Sequence, residues 1–377
     1  MSPQKIWLSS PHMGGNEQKF INEAFDTNWI APLGPNVTGF EQDLEDYLKE
    51  TVFVGALCSG TAAIHLGLIL LNVEAGDEVI CQSMTFSASA NPIVYQGATP
   101  IFVDSEPDTW NICPNALEDA IRDRILKGKK PKVIIAVHLY GMPYKVEEIR
   151  TIADKYEIPI LEDSAEGLGS SYKNQKCGTF GDISILSFNG NKIITTSGGG
   201  AIVTKNKEIK EKAIFLATQA RDHAPHYQHS EIGYNYRMSN ICAGIGRGQM
   251  EVLEKHVAKR RAMHDFYVEI FKQNQSISVL SEINDDYFSN HWLTVITVDA
   301  SKNNGKTRED LRVLLEKQNI ESRPLWKPMH LQPIFSDAPY YGGIVSEKLF
   351  KQGLCLPSGS NLDTEDKKRI ENCLNNY

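Results

Sequence analysis

A lone lysine, Lys192, lies in the segment SFNGNKIITTSGGG (residues 187–200), between an apolar strand-like run and a series of serines and glycines. Its immediate neighbours are neutral asparagine and glycine residues, so the local sequence offers no carboxylate that would hold the amine protonated. A lysine amine of this kind can form a Schiff base with an aldehyde. The glycines that follow allow the backbone to come close to a flat ring. The segment therefore predicts a lysine that is available for covalent chemistry.

Two acidic residues, Glu162 and Asp163, end an apolar run in the segment LEDSAEGLGS, and Asp163 precedes Lys192 by 29 residues. An acid at the end of a buried parallel strand lies where ligands gather in such sheets. The alternative is that Asp163 caps the turn that follows it, as acids at strand ends often do. The local sequence leaves both interpretations open.

The segment ALCSGTAAIHLGLILL (residues 56–71) predicts a strand end, a Ser-Gly-Thr turn and an apolar helix. The first N–H groups of a helix lack partners within the helix, and the helix dipole adds to their attraction for a phosphate. Thr61 could add a hydroxyl. The alternative is an ordinary Ser or Thr cap. The turn does not match the G-x-G-x-x-G fingerprint, so a nicotinamide site is disfavoured.

Taken together, the strand-end acid, the helix start and the lysine suit one cofactor, pyridoxal phosphate. Lys192 would bond to its aldehyde, and Asp163 would keep the pyridine nitrogen protonated so that the ring withdraws electrons. At about 3 Å and an effective dielectric of about 20, that ion pair is worth roughly 5 kcal/mol before desolvation. An interaction of this size would hold the ring nitrogen protonated at neutral pH.

The elements that position these residues alternate between short Ile- and Val-rich strands and helical patterns from about residue 52 to 205. Near-continuous apolar strands separated by helices indicate a mostly parallel sheet that is covered on both faces. One long helix is expected over residues 239–273, followed by a smaller α/β unit. The predicted division is a large domain, residues 1–252, and a small C-terminal domain, residues 253–377.

Composition excludes several classes of protein. The chain has 377 residues and a formal charge of −8, without a block of like charges, which disfavours a nucleic-acid or membrane-surface role. Its seven cysteines include no C-x-x-C pair, which favours reduced thiols and a cytoplasmic location. The N-terminal residues show no apolar signal region, and the longest apolar stretch is too short to span a bilayer.

Five ordered segments resemble the DegT-type sugar-nucleotide aminotransferases: CSGTAAIHL, TFSASANPI, EDSAEGLGS, SFNGNKIITTSGGG and GYNYRMSNICAGIGRGQ. The resemblance continues to RPLWKPMH and GLCLPSG, so it covers nearly the whole chain. It implies the aspartate-aminotransferase fold (pyridoxal-phosphate fold type I), an α/β fold with a mostly parallel mixed sheet. The chain looks most similar to bacterial aminotransferases of the bacillosamine-pathway type, which act on UDP-4-keto-6-deoxy-N-acetylhexosamines.

By position, the resemblance makes Lys192 the residue that forms the Schiff base and moves protons, and Asp163 the partner of the pyridine nitrogen. It implies a homodimer, because Asn235 matches an asparagine that reaches the phosphate from the neighbouring subunit. Phe86 matches an aromatic residue stacked on the ring, although simple core packing is the alternative. The remaining implied cofactor contacts are Gly60, Thr61, Ala62, Glu166, Ser187 and Asn189.

Three positions depart from the family pattern. Glu166 stands where most relatives have glutamine near the cofactor's phenolic oxygen, so we expect the acid to be protonated or its side chain reoriented. Asn189 replaces a histidine that is common in relatives, and Gly198 replaces a glutamate. These departures bear on substrate geometry more than on catalysis.

Candidates for substrate binding come from three places in the sequence. Arg323 and His330 match positions that line the active-site entrance, and Arg237 and Lys327 are further cationic candidates. The tripeptide APL, which begins at Ala31, falls where the family shapes the sugar pocket. Three histidines at a spacing of three, His223, His226 and His229, also suggest zinc, but Pro225 interrupts any helix there and a loop role is favoured.

The sequence thus predicts an enzyme that transfers an amino group from L-glutamate to the C4 ketone of a UDP-linked sugar. Alternatives are an aminotransferase for a 3-keto or a dTDP- or GDP-linked sugar, and a sugar dehydratase of the same fold. The dehydratases replace the lysine with histidine, whereas Lys192 is intact. A non-catalytic sugar-nucleotide-binding relative is the last alternative, and loss of Lys192 or Asp163 would be its mark.

Overall fold

The computed structural model describes residues 4–375 and Tyr377. The helices are α1 (Glu17–Asp26), α2 (Pro35–Leu48), α3 (Gly60–Leu70), α4 (Ser87–Tyr95), α5 (Pro114–Leu126), α6 (Val146–Tyr156), α7 (Lys207–Ala217), α8 (Asn240–Met250), α9 (Leu253–Phe271), α10 (Arg308–Lys317), α11 (Val345–Gln352) and α12 (Thr364–Leu374). Short 3-10 helices span Leu139–Gly141, Ala300–Lys302, Met329–Leu331 and Pro333–Phe335.

The strands are β1 (Phe53–Leu57), β2 (Glu78–Gln82), β3 (Thr99–Val103), β4 (Val133–Val137), β5 (Ile160–Asp163), β6 (Ser171–Tyr172), β7 (Gln175–Lys176), β8 (Ile183–Ser187), β9 (Gly200–Thr204), β10 (Ile277–Val279), β11 (Tyr287–Phe288), β12 (Thr294–Val298), β13 (Arg323–Pro324), β14 (Tyr340–Tyr341) and β15 (Gly353–Leu356). They form sheets of eight, four and three strands.

The eight-stranded sheet has the order β1-β9-β8-β5-β4-β2-β3-β14. Its strands pair in parallel from β14 to β8, and β9 runs antiparallel to both of its neighbours. Alternate residues of one strand enter different core clusters: Val79 and Cys81 pack with residues of α3, whereas Ile80 packs with residues of α5 and α6. Helices therefore cover both faces, and the expectation of a mostly parallel α/β sheet is confirmed.

The four-stranded sheet, β10-β12-β15-β13, is antiparallel and is built entirely from residues beyond 253. Its buried side chains pack with apolar residues of α9, α10 and α12. Several contacts cross the predicted domain boundary: among them, β14 joins the edge of the large sheet, β11 pairs with β6, and Ile6 forms a bridge with Ile320. The boundary at residue 252 stays a prediction.

The long helix that the sequence predicts over residues 239–273 is two helices, α8 and α9, separated by Glu251 and Val252. They have different partners, because α8 packs on α1 and α2, whereas α9 contacts β10 and β12. Glycine allows the close packing of α8, since a Cβ at Gly248 would lie 2.7 Å from the backbone nitrogen of Glu17. Within residues 4–375 and 377, the structure contains no helix with the length and apolar character needed to cross a bilayer.

Candidate active site

A cavity of about 570 Å³ opens at the carboxyl ends of β5 and β8, next to the start of α3. Predicted site residues from distant parts of the sequence line it together: Gly60, Thr61, Phe86, Asp163, Glu166, Ser187, Asn189, Lys192 and Arg323. Its position at the strand ends is the one that an open α/β sheet favours for a ligand.

The start of α3 forms one wall of the cavity. Ser59 is the N-cap of α3, and its Oγ accepts the N–H of Ala62 at 3.0 Å. The alternative of an ordinary serine cap is therefore correct for this pair of residues. Gly60 and Thr61 also line the cavity, and the N–H groups of such first helical residues have no partner within the helix. A Cβ at Gly60 would lie 3.0 Å from the Cβ of Ser187, so glycine allows this close approach. The helix dipole and the hydroxyls of Thr61 and Ser187 make this wall suitable for a phosphate.

Asp163 is buried at the end of β5 and is held in a fixed orientation. Its Oδ2 accepts a hydrogen bond from Ser89 Oγ at 2.7 Å, and Ser89 Oγ lies 2.7 Å from the hydroxyl of Thr85. Its Oδ1 accepts the N–H of Ala165 at 3.1 Å, so the carboxylate also caps the turn that follows. Asp163 therefore caps a turn and also lines the cavity, where it can receive a protonated ring nitrogen.

The neighbouring acid, Glu162, does not line the cavity. Its carboxylate instead binds the loop between β7 and β8. It is fully buried and accepts hydrogen bonds from backbone N–H groups and hydroxyls. Its donors are Gly178, Phe180 and Gly181 through the backbone and Ser164 and Ser184 through hydroxyls, with His138 Nε2 at 2.6 Å. Burial alone would raise the pKa of Glu162, but His138 and these donors lower it to about 2.

Replacing Glu162 with glutamine is expected to lower the free energy of unfolding by about 3 kcal/mol, because a buried amide cannot accept all of these hydrogen bonds. The folded-state pKa is depressed from 4.5 to about 2. The carboxylate therefore stabilises the fold fully above about pH 4.5, and this contribution is lost as the pH falls towards 2. Urea unfolding at pH 7 and at pH 3 measures both effects. Glu148→Gln, at an exposed position, is the control, and equal stability of the two variants would contradict the prediction.

Lys192 has an ion-pair partner that the local sequence does not reveal. Its Nζ lies 3.2 Å from Oε1 of Glu166, and the two side chains are only 11% and 3% exposed. The other carboxylate oxygen of Glu166 accepts the backbone N–H of Tyr140 at 2.7 Å. The expectation that neutral neighbours leave the lysine without a salt bridge is therefore wrong, because the partner comes from 26 residues earlier.

An aromatic cluster, Trp292, Trp326, Phe86 and Tyr140, lies beside Lys192 and was missed by the sequence analysis apart from Phe86. Lys192 Nζ lies 4.3 Å from the ring centroid of Trp292, whose Nε1 donates to the carbonyl of Asn191 at 2.6 Å. Trp326 lies 5.6 Å from Phe86 and 5.1 Å from Tyr140, measured between ring centroids. Phe86 is 54% exposed, so it is not a core residue of this protomer. Trp326 lies in the RPLWKPMH segment, and this segment was the sequence signal that could have identified it as a residue near the site.

Arg260, on α9, is a buried cation beside the lysine loop. Its guanidinium donates to the carbonyls of Trp292 at 2.5 Å, Ser358 at 3.3 Å and Lys192 at 3.5 Å, and to Ser9 Oγ at 2.9 Å. Within the described residues, no carboxylate forms an ion pair with it. The charge is instead stabilised by backbone oxygens from segments that meet behind Lys192.

The structure places the substrate candidates differently. Arg323 lines the cavity, with its exposed guanidinium 2.6 Å from Glu321 Oε1. Arg237 lies outside the cavity, because its guanidinium binds Glu41 at 2.7 Å and the carbonyl of Ala56 at 2.9 Å. The structure therefore does not support Arg237 as a ligand for a substrate in the cavity of its own protomer.

The other candidates are not among the residues that line the cavity. His330 Nδ1 lies 2.6 Å from Ser83 Oγ, and its ring stacks on Tyr340 with centroids 3.7 Å apart. Lys327 is half-buried, and Ala31 lies in the loop before α2, where its carbonyl accepts the N–H of Asn240. Asn235 is exposed, and its backbone forms a bridge with Thr218.

Two of the three histidines in the 221–234 segment, His226 and His229, lie close to oxygen atoms. His229 Nδ1 lies 2.8 Å from the carbonyl of Gln219, and His226 Nε2 lies 3.3 Å from Gln228 Oε1. In the described part of the chain, no group of three or more His, Cys, Asp or Glu side chains is placed to hold a metal ion.

The residues that line the cavity fit pyridoxal phosphate. A helix start with two hydroxyls suits its phosphate, an oriented buried carboxylate suits its pyridine nitrogen, and a buried amine suits its aldehyde. The cavity also has the volume for a small planar ring with a phosphate and for part of a second ligand.

Comparisons with known proteins agree with this chemistry. The model of the DegT/DnrJ/EryC1/StrS aminotransferase family matches residues 11–375. The chain is 52% identical over 373 residues to EpsN of Bacillus subtilis (strain 168), whose name describes a pyridoxal phosphate-dependent aminotransferase; the match covers 97% of this chain and 94% of EpsN. It is 36% identical to the GDP-perosamine synthase of Escherichia coli O157:H7, over 99% of this chain and 98% of the relative.

A solved structure gives the same result for the fold. The crystal structure of a DegT DnrJ EryC1 StrS aminotransferase from Brucella abortus superposes with a TM-score of 0.88 at 29% identity. The superposition covers 96% of this chain and 95% of that chain.

Proposed function

The chain belongs to the DegT/DnrJ/EryC1/StrS aminotransferase family, and from this premise we propose that it transfers an amino group from L-glutamate to the C4 ketone of a UDP-4-keto-6-deoxy-N-acetylhexosamine. The membership confirms the expected reaction class, pyridoxal-phosphate-dependent amino transfer. The sugar, the nucleotide and the amino donor are the parts that are proposed. The observation that carries the assignment is the meeting of Lys192, Asp163 and the start of α3 in one cavity.

When bound, pyridoxal phosphate supplies a carbonyl that bonds to amines and a ring that stabilises negative charge on the adjacent carbon. The start of α3, with Thr61 and Ser187, would bind the phosphate. Asp163, oriented by Ser89, would hold a proton on the ring nitrogen. Lys192 lines the same cavity and would be the amine that meets the aldehyde.

Lys192 Nζ is the group that bonds the cofactor and then moves protons. It takes a proton from the α-carbon of the donor, and in the second half of the reaction it delivers a proton to C4 of the sugar. Its environment suits this role, because Trp292 and Glu166 surround the amine and restrict the access of water. Phe86 and Trp326 give the cavity an apolar rim against which a sugar ring can pack.

The nucleotide reaches the cavity past Arg323. The Arg323 side chain is 68% exposed and its guanidinium has Glu321 as its partner, so a diphosphate could replace that carboxylate at little cost. A GDP-linked 4-keto-6-deoxy sugar is the second candidate substrate, because one relative at 36% identity is a GDP-perosamine synthase. The two candidates share the C4 ketone and differ in the base and at C2.

A panel assay tests this proposal. The purified protein, loaded with pyridoxal phosphate, is incubated with L-glutamate and with 4-keto and 3-keto sugars linked to UDP, GDP or dTDP. We expect the largest kcat/KM for the UDP-linked 4-keto-6-deoxy-N-acetyl sugar, with a 4-amino product identified by NMR. A larger value for the GDP-linked sugar would select the second candidate. Binding of a nucleotide sugar without formation of any amine or loss of a hydroxyl would instead indicate a non-catalytic relative.

We also propose a homodimer in which Asn235 of one subunit completes the site of the other. Asn235 is exposed and does not line the cavity of its own protomer. Large apolar side chains are exposed in the single chain and are available to be covered in a dimer, among them Trp29, Leu33, Tyr95, Tyr227 and Ile232. Some of these lie in the same segment as Asn235, and Phe86 at the cavity rim is likewise exposed.

A further inference from the structure

Glu166 and Lys192 form a buried ion pair inside the cavity. The amine and the carboxylate oxygen are 3.2 Å apart, and both side chains are almost inaccessible to solvent. The second oxygen of Glu166 is fixed by the backbone N–H of Tyr140. Tyr140 itself has φ of 54° and is fully buried, so the N–H that it offers is held by the fold. The carboxylate therefore has a permanent position against the reactive nitrogen.

Other titratable groups also act on this pair. Asp163 opposes ionisation of Glu166, and the buried Tyr140 phenol and Cys355 thiol interact electrostatically with the carboxylate. Burial raises the pKa of Glu166 to about 7, although Lys192 beside it acts in the opposite direction. A carboxyl group in this environment can accept or release a proton near neutral pH.

We propose that Glu166 is the proton partner of free Lys192: the carboxylate holds the amine as an ammonium ion and accepts the proton that this ion must lose before it can act as a nucleophile or base. The inference rests on Lys192 being the lysine that bonds the cofactor. In the transfer, one N–H bond of the ammonium breaks and one O–H bond of the carboxyl group forms, so the net charge of the pair stays zero. The proton is retained within the cavity without a carrier from solvent.

This role explains why an acid can stand at this position. A carboxylate facing a free amine has a favourable partner, as the 3.2 Å contact shows. When Lys192 is covalently engaged, the same group can keep the proton and become a neutral donor. Glutamine could accept a hydrogen bond from the ammonium, but it could not take up the proton.

The test measures the reactivity of Lys192 in the full-length chain after removal of the cofactor. Acetic anhydride acylates neutral amines, and mass spectrometry of the Lys192 peptide gives the rate between pH 6 and pH 10. In Glu166→Gln the amine loses the carboxylate that stabilises its ammonium form, so we expect its acylation at pH 7 to be about tenfold faster than in the wild type. Glu166→Asp, which retracts the charge by one methylene, should give an intermediate rate.

Glu147→Gln is the matched control, because it removes the partner of Lys173 from an exposed ion pair at 2.5 Å. It should leave the Lys192 profile unchanged. An identical pH profile for the wild type and a folded Glu166→Gln variant would overturn the proposal. If Glu166→Gln does not fold, an unchanged profile for Glu166→Asp would overturn it. The readout needs no turnover, so failure of the substrate assignment would not affect it.

Discussion

Replacing Lys192 with alanine is expected to lower kcat by at least about a thousandfold, because the variant loses both the covalent attachment and the group that moves protons. The cavity should remain, since α3, Asp163 and Phe86 contribute to it independently of the lysine. The variant should therefore still bind pyridoxal phosphate, although more weakly and without a covalent link. Activity assays and reduction with borohydride, followed by mass spectrometry of the residue-192 peptide, measure the two losses.

Lys207→Ala is the control for this change, because Lys207 is 69% exposed and its ion pair with Glu211 lies at the surface. A Lys192→Ala variant that turns over repeatedly at more than a few per cent of the wild-type rate would contradict the assignment.

The same variant tests the proposed dimer. When it is unfolded and refolded together with Asn235→Ala, each mixed dimer would contain one intact site, so activity should reappear. Mixing without recovery would indicate that Asn235 does not act across the interface.

Asp163→Asn is expected to lower kcat by about a hundredfold to a thousandfold with a smaller change in KM. The aspartate would form an ion pair with a protonated ring nitrogen, which is worth roughly 5 kcal/mol at 3 Å and an effective dielectric of about 20 before desolvation. Asparagine can still accept a hydrogen bond from Ser89, so the side chain should keep its place while the charge is lost. Steady-state kinetics and the pH dependence of the visible absorbance of the bound cofactor measure the effect.

Ser89→Ala provides a graded comparison, since it frees Asp163 Oδ2 without removing the charge. We expect a loss of about tenfold, in line with one hydrogen bond to a charged group. An effect of Ser89→Ala as large as that of Asp163→Asn would indicate that orientation dominates, and equal activity of Asp163→Asn and the wild type would exclude the proposed ion pair.

The sequence was sufficient for the features that depend on local pattern. The strand ends at Asp163 and Ser187, the helix start at Gly60 and the intervening α5 and α6 follow from apolar periodicity and turn residues. The mostly parallel sheet follows from the alternation of these elements. Because parallel strands end at one edge of a sheet, the sequence alone also predicts that Asp163 and Lys192 lie close together.

The sequence was insufficient where a contact joins distant segments. Neither the pairing of Glu166 with Lys192 nor the position of Trp292 over the amine follows from local periodicity. The division of α8 from α9 is decided by which elements each helix packs against, and such packing overrides a continuous helical pattern. Arg237 is a further example, because the sequence makes it a candidate for substrate binding, whereas in the structure its guanidinium forms an ion pair with Glu41.

Arg260 has a consequence for how the molecule denatures. A chain with two domains could lose its structure in two steps, one for each domain. The buried guanidinium, however, binds oxygens of Ser9, Lys192, Trp292 and Ser358, which belong to both halves. Opening either half would leave this charge without its acceptors in an apolar interior, a penalty of several kcal/mol. The two halves should therefore unfold in a single cooperative transition. Lys192 should keep its position in the cavity until that transition occurs.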